Sequence, residues 1–378
     1  MTKIPDKSII NLNSMKNTKL LEKMLKYSAV TSASLSILSA CGPGGANLSI
    51  MGTGQSTFQG STANNKVDVL WVIDNSGSMY TKQEKLGAGF SSFASLFSAK
   101  DFNFNMAVIT TDIAGQDGDF QSLPYPYQHP IDPARSNPAN YVGVNGPAVN
   151  ILNNSTTDLF EHFISNVRVG DTGAANAQSL DAIIRSLGTT KLAGVNSGFL
   201  REDAHLAVII VTDDDDGDIN FGLGSTASTA DVINHLQSLK PDKFDVISRT
   251  YKKNFTVSAV MVDTDTTGCV APFSPGVEYR SLVNDTSGSI ANICANDFST
   301  GLSQISQRIA EAITEIPLSR TPDVSTIQIL FNGTVVPQNA TDGWTYSSTG
   351  NKIVFHGNYI PRDNTSISVN YTPSDIIR

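Results

Sequence analysis

One carboxylate and two hydroxyl side chains, those of Asp74, Ser76 and Ser78, alternate with Asn75 and Gly77 in one short segment. A tight turn through this segment would bring one carboxylate and two hydroxyls to a single point. Hard oxygen ligands of this kind suit a small divalent cation. The competing interpretation is that the segment only caps the start of a helix. The spacing therefore indicates either a cation site or a capped turn.

The elements around this segment follow a repeating order. Residues 66–73 form an apolar, β-rich stretch directly before Asp74, and the side chains that follow it recur at helical spacing. Further strands are predicted over residues 103–110, 206–212 and 255–262, with helices between them. This alternation predicts an α/β fold with a doubly wound, mostly parallel sheet. In such sheets ligands bind beyond the carboxyl ends of the strands, where Asp74 lies.

The strand and its motif resemble the von Willebrand factor type A domain with its metal-ion-dependent adhesion site. The Asp-x-Ser-x-Ser motif of that family matches Asp74, Ser76 and Ser78. The resemblance implies a threonine ligand from a later loop, best matched by Thr172. It also implies an aspartate at the end of the central strand, best matched by Asp213.

The resemblance extends over residues 66–317 and implies a Rossmann-like domain. It implies one bound Mg2+ or Mn2+, with Ca2+ as an alternative, and an open coordination position on that ion. In the family, a carboxylate of a protein or surface ligand fills such a position. The resemblance therefore implies a binding protein.

Further carboxylates surround the predicted site. Asp213 begins the acidic run Asp213-Asp214-Asp215-Asp216-Gly217-Asp218, so the match is uncertain by one residue and Asp214 is a candidate neighbour of the metal. The extra carboxylates could bind Ca2+, but we favour a solvated acidic loop. Asp112 follows the second strand and is a further candidate at the same edge of the sheet.

The N-terminal segment has the pattern of an export signal. Lysines precede the uncharged, mostly apolar residues 27–40, which are too few to span a bilayer as a helix. The sequence Leu38-Ser39-Ala40-Cys41 resembles a bacterial lipobox, which implies lipidation of Cys41. In bacterial lipoproteins an Asp after the lipidated Cys favours retention in the inner membrane. Because Gly42 follows Cys41 here, the resemblance implies an outer-membrane lipoprotein, facing the periplasm or the cell exterior. The alternative is an ordinary secreted protein with a stray Cys41, and Met15 is an alternative start.

Residues 1–40 are thus predicted to be a signal peptide. Residues 41–65 are rich in Gly, Ser, Thr and Asn, which predicts a flexible tether. Export also places Cys269 and Cys294 in an oxidising compartment, where we expect them to pair. A metal site from these two cysteines, with no nearby His, is a poorer alternative.

The C-terminal residues 323–378 alternate in β fashion and include the hairpin signal Asn332-Gly333. They predict a small β-sandwich-like domain, with Trp344 more plausible in its core than at a ligand surface.

Composition narrows the class of function. The net charge is −9 and the predicted mature chain lacks a run of Lys and Arg, which argues against nucleic-acid binding. The motifs of common hydrolases and nucleotide-binding enzymes are missing, so we do not expect an enzyme. The sequence predicts a lipoprotein that touches the membrane through its lipid anchor only and binds a carboxylate through Mg2+ or Mn2+. The alternative is a structural or assembly factor of the cell envelope in which the metal stabilises the fold.

Overall fold

The computed structural model describes residues 56–62, 65–100, 102–122, 148–174, 177–216, 226–245, 250–270, 273–362 and 365–374. In chain order, the strands of this part are β1 (Ser56–Thr62), β2 (Lys66–Ile73), β3 (Asn103–Thr110), β4 (Leu152–Asn153), β5 (His205–Val211), β6 (Lys243–Asp245), β7 (Thr250–Lys252), β8 (Phe255–Met261), β9 (Ile290–Asn292), β10 (Ile316–Pro317), β11 (Gln328–Phe331), β12 (Thr334–Val335), β13 (Gly343–Ser347), β14 (Lys352–His356) and β15 (Ser366–Tyr371). The helices are α1 (Tyr80–Ala99), α2 (Leu159–Val167), α3 (Ser179–Ser186), α4 (Thr189–Ala193), α5 (Thr229–Leu239), α6 (Val277–Asp285) and α7 (Ser299–Thr314). The predicted signal peptide and Cys41 lie outside the described residues.

A six-stranded sheet forms the centre of the α/β part, in the order β4-β3-β2-β5-β8-β9. Five of these strands run parallel to one another, namely β3, β2, β5, β8 and β9, while the edge strand β4 is antiparallel to β3. Because β2 lies between β3 and β5, the strand order reverses direction at β2. Strands β5 and β8 are buried along their whole length, as expected where helices cover both faces. The predicted doubly wound, mostly parallel α/β sheet is confirmed.

Two hydrophobic layers flank this sheet. Alternate residues of a strand point to opposite faces, so Trp71 of β2 joins the layer of α1, α2 and α7. Leu70, its neighbour, joins the layer of α3, α5 and α6. Trp71 packs edge-on against Phe93 and Phe163, with ring centroids 5.0 and 5.1 Å away. The sequence pattern therefore explains why both faces of β2 need a helical cover.

Helices α2 and α6, like the shorter α4, are not predicted by the sequence pattern. Helices α2 and α6 have nine residues each, of which five are buried in α2 and three in α6. Helices this short gain most of their stability from tertiary packing rather than from local preference. Only packing against neighbouring helices and strands therefore identifies them.

The C-terminal strands form two small antiparallel sheets, in the orders β1-β15-β11-β12 and β10-β14-β13, and the first of these also takes in β1 from the start of the described chain. This confirms the predicted small all-β portion. Asn332 and Gly333 connect β11 to β12 with φ angles of 49° and 84°, as a tight hairpin turn requires. Trp344 is 2% exposed and its indole nitrogen donates to the carbonyl of Val336 over 3.1 Å, so it lies in the core.

The tether prediction is wrong for residues 56–62. They form β1, which pairs with β15 from Ser56 opposite Tyr371 to Thr62 opposite Ser366. Strand pairing uses backbone groups, so a polar composition does not prevent it. Residues from Thr53 to Arg378 form one compact unit, and the division into 66–317 and 323–378 stays a prediction.

A disulfide joins Cys269 to Cys294, with Cα atoms 4.5 Å apart, which confirms the predicted pair. Within the described ranges, no helix has the length and apolar character needed to cross a membrane.

Candidate functional site

The ends of β2 and β5 meet at the carboxyl edge of the sheet. Ile73 lies opposite Val211, and the amide of Asp74 donates to the carbonyl of Val211 over 2.9 Å. Asp74 and Asp213 are both fully buried. This is the point where the strand order reverses, the usual place for a ligand in an open α/β sheet. The fold therefore brings together two candidate residues that are far apart in sequence.

Both carboxylate oxygens of Asp74 accept hydrogen bonds. Oδ1 accepts from the amide of Ser76 over 2.7 Å, and Oδ2 accepts from the hydroxyl of Thr212 over 2.7 Å. Burial raises the pKa of Asp74 to about 6, with a smaller contribution from the negative charge of Asp213. Asp74 is thus held in one orientation by its neighbours. Sequence reasoning missed Thr212, although it directly precedes Asp213.

The hydroxyls of the motif form a small oxygen cluster with Asp213. The oxygens of Ser76 and Ser78 are 3.3 Å apart, and Ser78 donates to Oδ1 of Asp213 over 2.8 Å. Adjacent ligands of an octahedral Mg2+ are separated by about 3 Å, because each lies about 2.1 Å from the ion. The donor set and spacing therefore fit one small divalent cation.

Helix α1 contributes two further residues, Lys82 and Gln83, that sequence reasoning missed. Lys82 donates to Oδ2 of Asp213 over 2.5 Å and to the carbonyl of Ser78 over 3.0 Å. Gln83 is 1% exposed and donates to the carbonyls of Asp74, over 3.0 Å, and of Gly170, over 2.8 Å. A polar residue on the apolar face of α1 was the available signal for Gln83.

The loop of Thr172 lies against the motif. The amide of Gly173 donates to the carbonyl of Asn75 over 2.9 Å, and Gln83 ties Gly170 to the same segment. A Cβ on Gly173 would lie 2.3 Å from the side chain of Asn75, so any larger residue there would force that side chain or the loop to move. Thr172 itself is exposed, beside these contacts. The structure thus places the predicted threonine loop next to the motif.

The described carboxylates of the acidic run have separate partners. Asp213 faces Ser78 and Lys82. Asp214 accepts from the hydroxyl of Ser274 over 3.3 Å, and its pKa is raised by burial and by Asp213. Of the two aspartates that could match the family's strand-terminal aspartate, the structure therefore favours Asp213 over Asp214.

The next two aspartates cap helices. Asp215 accepts from the first amide of α6, that of Val277, over 3.0 Å. Asp216 accepts from the amide of Leu180 in α3 over 3.1 Å and is 9% exposed. The prediction of a solvated loop is therefore wrong for Asp213 and Asp216. Gly217 and Asp218 lie outside the described residues.

The residues that follow β3 include the remaining candidate carboxylate, Asp112, and a buried hydroxyl. Asp112 accepts from the amide of Gly115 over 2.9 Å, so one of its oxygens serves a local turn. The hydroxyl of Thr111, the residue before Asp112, and Oδ1 of Asn75 in the motif are buried and have no hydrogen-bond partner in the described part of the chain. Buried polar atoms of this kind need a partner such as water, which a hydrated Mg2+ retains.

Hydroxyls dominate the candidate ligands. Among the described residues, no group of three or more His, Cys, Asp or Glu side chains could hold a metal. A cation at this edge would therefore depend on Ser76, Ser78 and the Thr172 loop beside the two aspartates.

Comparisons with known proteins give distant structural similarity. No family model matches the sequence, and no curated protein matches it. Proximal thread matrix protein 1 from the mussel byssus has a TM-score of 0.36 and 10% identity, covering 69% of this chain and 51% of its own. The pilus adhesin SpaC from Lactobacillus rhamnosus GG has a TM-score of 0.36 and 13% identity, covering 84% and 40%. A human COPII-coat protein has a TM-score of 0.33 and 9% identity, covering 86% and 42%. The chain thus spans about half of these structures or less, and the similarity assigns no function.

Proposed function

We propose that the protein binds a carboxylate-bearing partner through a divalent cation, in the manner of a von Willebrand factor type A domain. The observation that carries the proposal is the oxygen cluster of Ser76, Ser78 and Asp213 at the switch point of the sheet. Mg2+ or Mn2+ would supply a positive charge with an open coordination position for the partner's carboxylate. The N-terminal pattern around Cys41 would anchor this binding domain to the outer membrane.

The residues of the site would have different roles in holding the cation. Ser76, Ser78 and Thr172 would offer hydroxyl oxygens to the cation. Asp74 and Asp213 would supply the negative charge, and their hydrogen bonds already orient them. Thr212 and Gln83 hold the loops in place from beneath. These hydrogen bonds hold the two aspartates in position before an ion binds, which lowers the cost of binding.

The test is a calorimetric titration of Mn2+ and Mg2+ into the chelator-treated full chain. We expect saturable binding that Asp74→Ala and Ser76→Ala abolish. Asp285→Ala is the matched control, because Asp285 is exposed and ends α6, about 12 Å along the helix from its start beside Asp215. Absence of metal binding by the native chain would overturn the proposal.

A second measurement separates a binding site from a purely structural one. With Mn2+ bound, water-proton relaxation reports an open coordination position, and a short glutamate-containing peptide should displace that water. A metal that only stabilises the envelope protein would raise the unfolding temperature but would not respond to the peptide. That outcome would favour the structural or assembly role.

A further inference from the structure

The ammonium group of Lys82 lies on the same two residues that a cation would bridge. It donates to Oδ2 of Asp213 over 2.5 Å and to the backbone carbonyl of Ser78 over 3.0 Å. On its other oxygen, Asp213 accepts from the hydroxyl of Ser78 over 2.8 Å. One positive charge is therefore already in contact with one of the two fully buried carboxylates of the candidate ligand set.

The position of Lys82 runs against local preference. It lies in the first turn of α1, where the helix dipole disfavours a positive charge, and that turn contains no acidic residue. The side chain of Lys82 is 14% exposed and that of Asp213 is fully buried. A lysine that is unfavourable for its own helix turn but paired with a distant buried aspartate indicates that the ion pair has a function.

Burial explains why Asp213 needs this partner. A buried carboxylate without a counter-charge is strongly destabilising, and Lys82 is the residue that forms an ion pair with Asp213 in the described part of the chain. A divalent cation would perform the same neutralisation more strongly. Lysine and metal are thus alternative counter-charges for one carboxylate, and each weakens the attraction of the other.

We propose that Lys82 is a built-in competitor of the divalent cation, which keeps the metal affinity low until an acidic partner binds. The inference rests on the proposed function of this site. The carboxylate of the partner would add the negative charge that Lys82 offsets, so the metal and the partner would each raise the affinity for the other. The site would then retain its cation mainly in the complex.

The test compares Lys82→Met with Lys85→Met by calorimetric titration of Mn2+ into the chelator-treated full chain. Lys85 lies on the same helix, donates to the carbonyl of Ala295 over 2.8 Å, and lies over the ring of Phe298 rather than near Asp213. We expect Lys82→Met to tighten Mn2+ binding about tenfold or more, and Lys85→Met to leave it nearly unchanged. Lys82→Arg keeps the charge and should bind Mn2+ as the native chain does.

A second readout uses the metal-free proteins. Without metal, Lys82→Met leaves Asp213 without its counter-charge, so the unfolding temperature of the variant should fall. Added Mn2+ should then raise the unfolding temperature of the variant by more than it raises that of the native chain. A positioning role for the lysine alone would weaken metal binding together with stability. Equal or weaker Mn2+ binding by Lys82→Met overturns this inference while the proposed function stands. If neither protein binds Mn2+, both fail.

Discussion

The hydroxyl of Thr212, at the end of β5, donates to Oδ2 of Asp74, at the end of β2, over 2.7 Å. The same hydroxyl accepts from the amide of Asp214 over 3.0 Å. One side chain therefore joins the first residue of the metal motif to the acidic run.

Thr212→Val should weaken both the site and the fold. Valine keeps the shape but leaves a buried carboxylate oxygen without its donor and a backbone amide without its acceptor. We expect the free energy of unfolding to fall by about 1–3 kcal/mol and Mn2+ affinity to fall by about tenfold, measured by denaturant unfolding and calorimetry. Thr314→Val is the control, because its hydroxyl serves only the carbonyl of Ala310 within α7, over 2.8 Å. It should lose stability without losing metal affinity.

Substitution by alanine should affect Mn2+ affinity differently at two glycines of the site, Gly173 and Gly77. A Cβ on Gly173 would lie 2.3 Å from the side chain of Asn75, whereas a Cβ on Gly77 would meet nothing closer than 3.8 Å. Gly173→Ala should displace the Thr172 loop and reduce Mn2+ affinity, while Gly77→Ala should leave it unchanged. Equal affinities of the two variants, measured by calorimetry, would contradict the packing of the loop on the motif.

His205 should make the fold sensitive to mild acid. It is 5% exposed, and its ring contacts the hydroxyl of Thr256 at 3.2 Å. Burial, together with the positive charges of Lys252, Lys243, Lys240 and Arg308, lowers the pKa of His205 well below its usual value of 6.5. The unfolded chain then binds the proton more readily, so stability is lost as the pH falls below about 6.5.

The measurement is the free energy of unfolding from about pH 8 to pH 5 for the native chain and His205→Gln. The native chain should lose more stability over this range than the variant, which has no imidazole to titrate. Protonation of Asp74, whose pKa is about 6, acts in the opposite direction in both proteins, so the difference between them isolates His205. Parallel curves would show that His205 does not control the acid response.

Removing the disulfide should lower stability through the unfolded state. Cys269 and Cys294 are 25 residues apart, and closing a loop of that length contributes about 3 kcal/mol on chain-entropy grounds. The double variant Cys269→Ser/Cys294→Ser should therefore unfold at lower denaturant concentration. Its Mn2+ affinity should stay close to that of the native chain, since neither cysteine belongs to the candidate ligand set. A loss of metal binding in the folded variant would show that the bridge also shapes the site.

Much of the fold follows from local pattern. The apolar strands, the helical face of Leu86 and Phe90, and the Asn332-Gly333 turn each reflect a preference that acts over a few residues. The same holds for the motif, because Asp74, Ser76 and Ser78 lie close together in sequence and a single turn suffices to gather them. The sequence also led to the pair Cys269–Cys294, through the compartment that the N-terminus implies.

Tertiary structure alone decided the contacts between distant segments. Lys82 and Asp213 are 131 residues apart, and no periodicity indicates that a lysine in the first turn of α1 will meet the end of β5. The four consecutive aspartates look alike in sequence, yet the fold gives each a different partner. The strand of residues 56–62 likewise depends on β15 for a hydrogen-bonding edge. Side-chain pattern determines which segments become strands and helices, whereas packing determines which of their ends share one buried charge.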